Sequence, residues 1–547
     1  MNQAARHDTM LSTWRLTPSD TRAQSESMTI DLAQRPLTRR AALKKFGAGA
    51  AAFAASATPD IAGAQMRDDE LCFMSAAELL ALFQVRKLSP VEVLKAQIAR
   101  TERVNGRVNC FTHTHFDSAL AAARESETRW MKGDTRPLEG IVTAVKDEEA
   151  MAGWPVTAGS MLLKDKKAEA NTPVVDKLLA AGAVIHAQTT APEFYFIPLT
   201  WSKLWGVTRN PWNLHATVGG SSGGAGASLA AGLTTLATGS DMGGSIRIPS
   251  SLNGLYGFKP PHGRVPLDPG GEIMPQGTSG PMARNLGDLA LLQSAINGPH
   301  PRQLSALRPQ MQYPTSYPDI RGWRIAYSFN QGWAVLDPDV RRNLEAALRI
   351  LEGEGARVEE VNLAWDPEQI RMALIKALLS TAMGEMLQQI RDLNQEDALT
   401  TYGRFFLKLV GQEAGPRQLG EAQRYADELF AQYDALFANG FRAFICPTVT
   451  TTRIQADFDF TTSKLTVDGK EVDPLTGWLL TPPFNLMYTI PVVNVPTGLA
   501  GNRVPTGMQI AARSYEDLTA FQVAAAYDAV APRLFAGDLM PDFRNSA

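Results

Sequence analysis

Cysteine is scarce: Cys72, Cys110 and Cys446 stand far apart in 547 residues, with no CxxC spacing. So sparse and odd a set supplies neither a disulfide framework nor a zinc site, and the three read as small buried hydrophobes. Basic charge is not in excess either. Lys and Arg number 53 against 56 Asp and Glu, a formal net charge of −3, which leaves no electrostatic footprint for nucleic acid. No 18-residue apolar stretch is present that could span a bilayer. HExxH, clustered His/Asp groups, a GxGxxG after a strand and the GK[ST] of a P-loop are all missing, so no metal or organic cofactor is expected. What remains is an ordinary globular composition, 44% hydrophobic and 20% charged. Its length alone allows two or three domains, so domain count must come from the pattern.

The first 65 residues do not read as fold. PLTRRAALKKFGAGAAAFAASATPDIAGAQ sets the pair Arg39–Arg40 before a mildly apolar, alanine-rich run that ends in AGA at Ala62–Ala64. This is similar to a twin-arginine export signal with a small-residue cleavage pattern; an amphipathic arm with a chance arginine pair is the alternative. The expectation is a signal over 1–64 and a mature chain over 65–547, periplasmic or secreted, with no stable membrane association after processing. The polar leader before the arginines is long, so Met28 is expected as the true start.

The mature region opens with two helix starts. Ser75-Ala-Ala-Glu78 and Ser89-Pro90-Val91-Glu92 are capping boxes, the second with proline at the first helical position, and predict helices near 75–86 and 90–104. Residues 140–147 form a short β-branched run that reads as a buried strand. A helix over 172–181, strands at Ala183–Ala187, Trp323–Ser328 and Val358–Val361, and an amphipathic helix Asp337–Glu352 continue the alternation. The fold expected is α/β: a single large domain whose central sheet, mixed or largely parallel, is covered on both faces by helices. The proline-rich 297–320 reads as a surface excursion and the polar 453–475 as a loop.

Two glycine-flanked serine clusters, GGSSGG at 219–224 and GGSIR at 243–247, have no histidine between them. Gly220-Ser221-Ser222-Gly223-Gly224 matches the G-x-S-x-G elbow around Ser222, but that elbow needs a strand immediately before it. Here a Pro/Asn-rich loop precedes it, so the elbow is rejected. A serine nucleophile can instead use a lysine base. Lys146 ends the predicted strand, where α/β sheets place their sites. Alternation puts Val142, Ala144 and Lys146 on one face and Asp147 on the other. A lysine base must be neutral, which at pH 7 costs about 4–5 kcal/mol against a reference pKa of about 10.4, and burial is the means. Strand position alone also fits a lysine whose tip reaches solvent.

Five ordered motifs decide between these. GIVTAVKD at 140–147, TRNPWN at 208–213, GGSSGG at 219–224, SDMGGSIRIP at 240–249 and GFKPPHGRV at 257–265 resemble the amidase signature family, as do CPT at 446–448 and the run 484–510. The resemblance spans roughly 75–530. It implies a hydrolase of amide C–N bonds with Ser245 as acyl-enzyme nucleophile, Ser221 as bridging serine after a cis peptide, and Lys146 as the base. It also implies an oxyanion hole from the backbone of Met242, Gly243 and Gly244, where one donor is worth about 3–4 kcal/mol in rate. Ser222 is expected near the lysine or as a loop hydroxyl satisfying backbone, with Asp241 and Arg247 orienting the serine loop. Val142, Gln188 and Ser240 depart from the family's usual proline, lysine and threonine, and the pocket wall over 188–205 is expected to be unusual.

The segment FYFIPLTWSKLWG, with Phe194, Tyr195, Trp201 and Trp205, could line an apolar pocket, although aromatics are most often core. A hydrophobic or aryl amide is the substrate expected. The rivals are an ester or carbamate hydrolase, a periplasmic solute-binding protein and one subunit of an amidotransferase. The oligomeric state is left open, a homo-oligomer included.

Overall fold

After a short helix, Asp68–Phe73, two serine-capped helices follow. Ser75 and Glu78 bond each other's amides ahead of the helix Ala76–Gln84. Ser89 and Glu92 repeat the box, with Pro90 in the first turn, ahead of Pro90–Val108. Each box satisfies amides that have no partner inside a helix. The structure, a computed structural model, describes residues 68–267, 273–392 and 394–545, within a compact unit running from Met66 to Ala547. Arg39–Arg40, Ala62–Ala64 and Met28 lie outside the described residues.

An eleven-stranded sheet organises this unit. Its strands are β1 (Phe111–Thr114), β2 (Val142–Lys146), β3 (Val184–Thr189), β4 (Leu236–Asp241), β5 (Tyr256–Lys259), β6 (Thr278–Ala283), β7 (Arg324–Tyr327), β8 (Arg357–Glu360), β9 (Phe441–Pro447), β10 (Val492–Leu499) and β11 (Pro505–Ala511). Their spatial order is β1-β3-β2-β4-β6-β5-β10-β11-β9-β7-β8. The sheet is mixed. β3, β2 and β4 run parallel, as do β9, β7 and β8, while the strands between them and the β1 edge pair antiparallel.

β2, β3, β4, β6 and β11 are buried at every residue, so both faces of the sheet are covered there. That double burial is why GIVTAVKD is apolar on both faces, and it carries Lys146 into the interior. The helix Pro338–Gly353 buries Val340, Leu344, Ala347, Leu348 and Leu351 and packs on β10 and β11, as its period predicts. The three cysteines are buried and free; burial pushes the Cys446 thiol up to about 12.

Two connections differ from expectation. The stretch 453–475 contains a hairpin, Leu465–Val467 against Lys470–Val472, which buries Leu465 and Val467. Its turn, Asp468-Gly469, takes positive φ at both residues, and a D-G pair between apolar alternation is a hairpin signal. The excursion 297–320 is pinned by buried Tyr313 and Ile320. Among the described residues, no helix is long and apolar enough to cross a membrane.

Candidate active site

β2 delivers Lys146 at its C-terminal end, between the parallel neighbours β3 and β4, and the side chain is fully buried. Nζ donates to Ser221 Oγ at 2.8 Å and to Ser240 Oγ at 2.7 Å. It lies 3.3 Å from Glu148 Oε1 and 4.8 Å from the centroid of the Tyr195 ring. The Glu148 contact is an ion-pair distance without the alignment of a hydrogen bond. Burial pulls the Lys146 pKa below the ordinary lysine value, and Glu148 is the strongest group pushing back, ahead of Glu149 and Asp241. Asp147 faces away, accepting from Thr157 Oγ1 at 2.8 Å and the Gly159 amide at 3.2 Å. This is the side strand alternation assigns to it.

Ser221 and Ser222 occupy the turn before the helix Gly223–Ala230, and the Gly220–Ser221 peptide is cis. The turn fits tightly: a Cβ on Gly224 would stand 2.4 Å from the Thr190 amide nitrogen. Ser222 Oγ accepts from Ser240 N at 3.2 Å and donates to Ser240 O at 3.3 Å, tying the turn to β4. Ser222 therefore serves the backbone beside the lysine. Ser240, conspicuous in the sequence only as a replacement for threonine, is the second hydroxyl on Nζ.

Ser245 lies between β4 and the helix Arg247–Asn253. Asp241 gathers this loop, accepting from the amides of Gly244 at 2.8 Å, Ile246 at 3.3 Å and Arg247 at 3.4 Å. Arg247 grips the same carboxylate through Nε and Nη2, both at 2.9 Å, and both side chains are fully buried. Burial alone would raise the Asp241 pKa; the Arg247 charge and the bonds from Arg247 and Asn485 outweigh it and hold it below the carboxylate range. Neither residue lines the cavity beside Ser245.

One expected oxyanion donor needs correction. The Gly244 amide is committed to Asp241, so it is not free for a substrate oxygen. Among the described residues, the amides of Met242 and Gly243 carry no such bond. Thr481 Oγ1 donates to Gly243 O at 2.5 Å and fixes that peptide's direction. Ser245 Oγ makes no hydrogen bond among the described residues; its link to the lysine side runs through the backbone, from Ser222 N to Ser245 O at 3.1 Å.

Ser245 opens on a cavity of about 90 Å³ whose wall is largely apolar, with Tyr195, Arg371 and Thr476 as its other polar side chains. Tyr195–Pro198, the helix Pro367–Leu379 with Met383 beyond it, and Leu475–Pro482 supply that wall. A second cavity of about 220 Å³ shares Arg371, Leu374, Thr476, Leu479 and Pro482 with it. Glu368 holds Arg371 through Nε at 2.9 Å and Nη2 at 2.5 Å. Among the described residues, no three His, Cys, Asp or Glu side chains are grouped to hold a metal.

Of the four aromatics expected at the pocket, only Tyr195 lines it. Phe194 is buried in the core. Trp201 Nε1 donates to Phe458 O at 3.1 Å, and its ring packs edge-on against Tyr402. Trp205 Nε1 donates to Thr157 Oγ1 at 3.0 Å. A buried indole N–H needs a partner, and these two find theirs away from the cavity. Gln188 is likewise no part of the wall: it bonds His115 Nε2 at 3.1 Å and Pro155 O at 2.7 Å.

The comparisons with known proteins agree with this geometry. The family model described as Amidase matches residues 92–520. An acylamidase of Rhodococcus erythropolis is 32% identical over 474 residues, 85% of this chain and 97% of that one. One subunit of the glutamyl-tRNA(Gln) amidotransferase of Carboxydothermus hydrogenoformans is 30% identical over 489 residues, 84% and 97% respectively. Among solved structures, a bacterial aryl acylamidase of the amidase signature family superposes with a TM-score of 0.77 at 27% identity, covering 84% of this chain and 96% of its own. With its motifs in order and matched along most of its length, the chain belongs to the amidase signature family and is an amide hydrolase.

Proposed function

We propose that this hydrolase cleaves hydrophobic or aryl amides through an acyl-enzyme on Ser245, with Lys146 as the base acting through Ser221. The observation that carries the proposal is Lys146 Nζ, fully buried and 2.8 Å from Ser221 Oγ, next to the loop that presents Ser245 to an apolar cavity. Neutral Lys146 takes the Ser221 proton while Ser221 takes that of Ser245, and Ser245 Oγ bonds to the carbonyl carbon. The carbonyl oxygen becomes an oxyanion facing the Met242 and Gly243 amides. When it collapses, the C–N bond breaks and the proton returns from Lys146 through Ser221 to the leaving nitrogen. Water then attacks the ester along the same relay and releases the acid.

The apolar wall supports the substrate class, since few of its groups could hydrogen-bond a small charged amide. The acylamidase and aryl acylamidase relatives point the same way. Amidotransferase relatives favour a second reading, a subunit of such a complex; so apolar a wall argues against it. Export through the twin-arginine route belongs to the proposal and rests on Arg39–Arg40 and Ala62–Ala64.

The test offers one acyl group as primary amide, anilide, ester and carbamate, with Ser245→Ala as background. Anilide or amide turnover that disappears in Ser245→Ala is expected. Turnover of esters or carbamates alone would keep the triad and discard the substrate class. Activity surviving in Ser245→Ala would discard the nucleophile.

A further inference from the structure

We propose that Glu148 is a positioning residue for this reaction: its carboxylate sets when Lys146 is neutral and balances the ammonium that forms there as the serine proton arrives. The inference rests on Lys146 acting as the base.

Four carboxylates surround Lys146, and three are turned to other work. Asp147 accepts from Thr157 and Gly159. Glu149 accepts from Thr172 Oγ1 at 2.8 Å and Ser279 Oγ at 2.7 Å. Asp241 is clamped by Arg247 and Asn485. Among the described residues, Glu148 alone comes within ion-pair distance, 3.3 Å, with its side chain 20% exposed. The remaining groups against Nζ are neutral: the hydroxyls of Ser221 and Ser240 and the face of Tyr195. The lysine therefore sits between two opposed influences, a buried site that disfavours its charge and one carboxylate that favours it.

Removing that carboxylate has two effects of opposite sign. More of the lysine is neutral at a given pH, so the rate persists to lower pH. The lysine is also a weaker base, and the ammonium formed on proton transfer loses its countercharge, so the limiting rate at high pH falls. A residue that only supports the fold would scale the rate equally at every pH.

The experiment measures the rate at which a serine-directed fluorophosphonate labels Ser245, read by intact mass from acid to alkaline pH. The full chain is used as wild type, Glu148→Gln, Glu148→Asp and Lys146→Met. In Glu148→Gln the acid limb should move down by about one pH unit, a tenfold change in proton concentration. Its alkaline plateau should drop by less than that, about threefold, so that the two curves cross. Glu148→Asp, which keeps the charge at a shorter reach, should lie between them. A Glu148→Gln curve that parallels the wild type, scaled by one factor, overturns the proposal. If Glu148→Gln does not fold, Glu148→Asp decides: a displaced acid limb supports the proposal and a superimposed one refutes it. Wild-type labelling in Lys146→Met would overturn the lysine base, and this inference with it; a dead Lys146→Met beside a superimposed Glu148 profile overturns this inference alone.

Discussion

Asp241→Asn keeps the side chain's shape and removes its charge, leaving Arg247 fully buried without a counterion. Breaking a buried pair by removing one partner costs about 3–5 kcal/mol. The asparagine nitrogen also turns a donor towards the amides or guanidinium the carboxylate served, and one such unmet bond adds about 1–3 kcal/mol. A total of about 4–8 kcal/mol, divided by an unfolding entropy of ~2.1 cal/mol/K per residue over the roughly 480 residues of the unit, lowers Tm by about 4–8 °C. Catalysis should suffer more. The Asp241 bonds set the path of 242–246, and losing one aligned oxyanion donor costs about 10²–10³ in kcat. KM should hardly move, because Asp241 does not line the cavity. The pH signature is specific. Because the folded state holds the Asp241 pKa below its unfolded value of about 3.9, its contribution is complete above that pH and is lost only as pH falls through the lowered value. Wild type should therefore lose this increment in acid, and the variant should not. Calorimetry and steady-state kinetics check all three. A variant with wild-type Tm and kcat would refute the claim that Asp241 holds the nucleophile loop.

Lys146→Met should reduce turnover by about 10²–10⁴-fold and raise Tm at neutral pH, since it deletes a charge whose burial is unfavourable. The unfolded chain binds that proton more tightly, so the lysine's cost is greatest below its folded pKa and fades as pH climbs towards about 10.4; the gain in Tm should fade with it. Lys259 is also buried, and burial followed by the Arg247 charge pushes its pKa down to about 7. Urea unfolding should show wild-type stability rising between about pH 7 and about pH 10.4 more steeply than that of Lys259→Met. Arg371→Ala removes the charged side chain common to both cavities; KM for anilides with long acyl chains should fall about tenfold, equivalent to ~1.4 kcal/mol, while short ones are unaffected. Replacing Arg39 and Arg40 by lysine should leave the chain in the cytoplasm on fractionation, and an unchanged distribution would refute the export proposal.

The candidate triad was legible through the family resemblance: Lys146, Ser221 and Ser245 each sit in a short stretch that resembles a family motif, whereas strand position alone also fitted a lysine whose tip reaches solvent. The cavity wall was not. Leu374, Met383 and Leu479 lie far along the sequence from Ser245, and an apolar helix face reads the same whether it covers core or cavity. The aromatic segment misled for a related reason: composition cannot say whether an indole finds its partner in Thr157, in Phe458 or in a substrate. Glu148 is the instructive case. β2 ends at Lys146, and the turn that follows, closed by the Glu149 amide on Lys146 O at 2.8 Å, brings Glu148 to within 3.3 Å of Nζ. Chain order conceals which of three consecutive carboxylates stays with the lysine. Thr157 and Gly159 draw off Asp147, Thr172 and Ser279 draw off Glu149, and all four arrive from other parts of the fold.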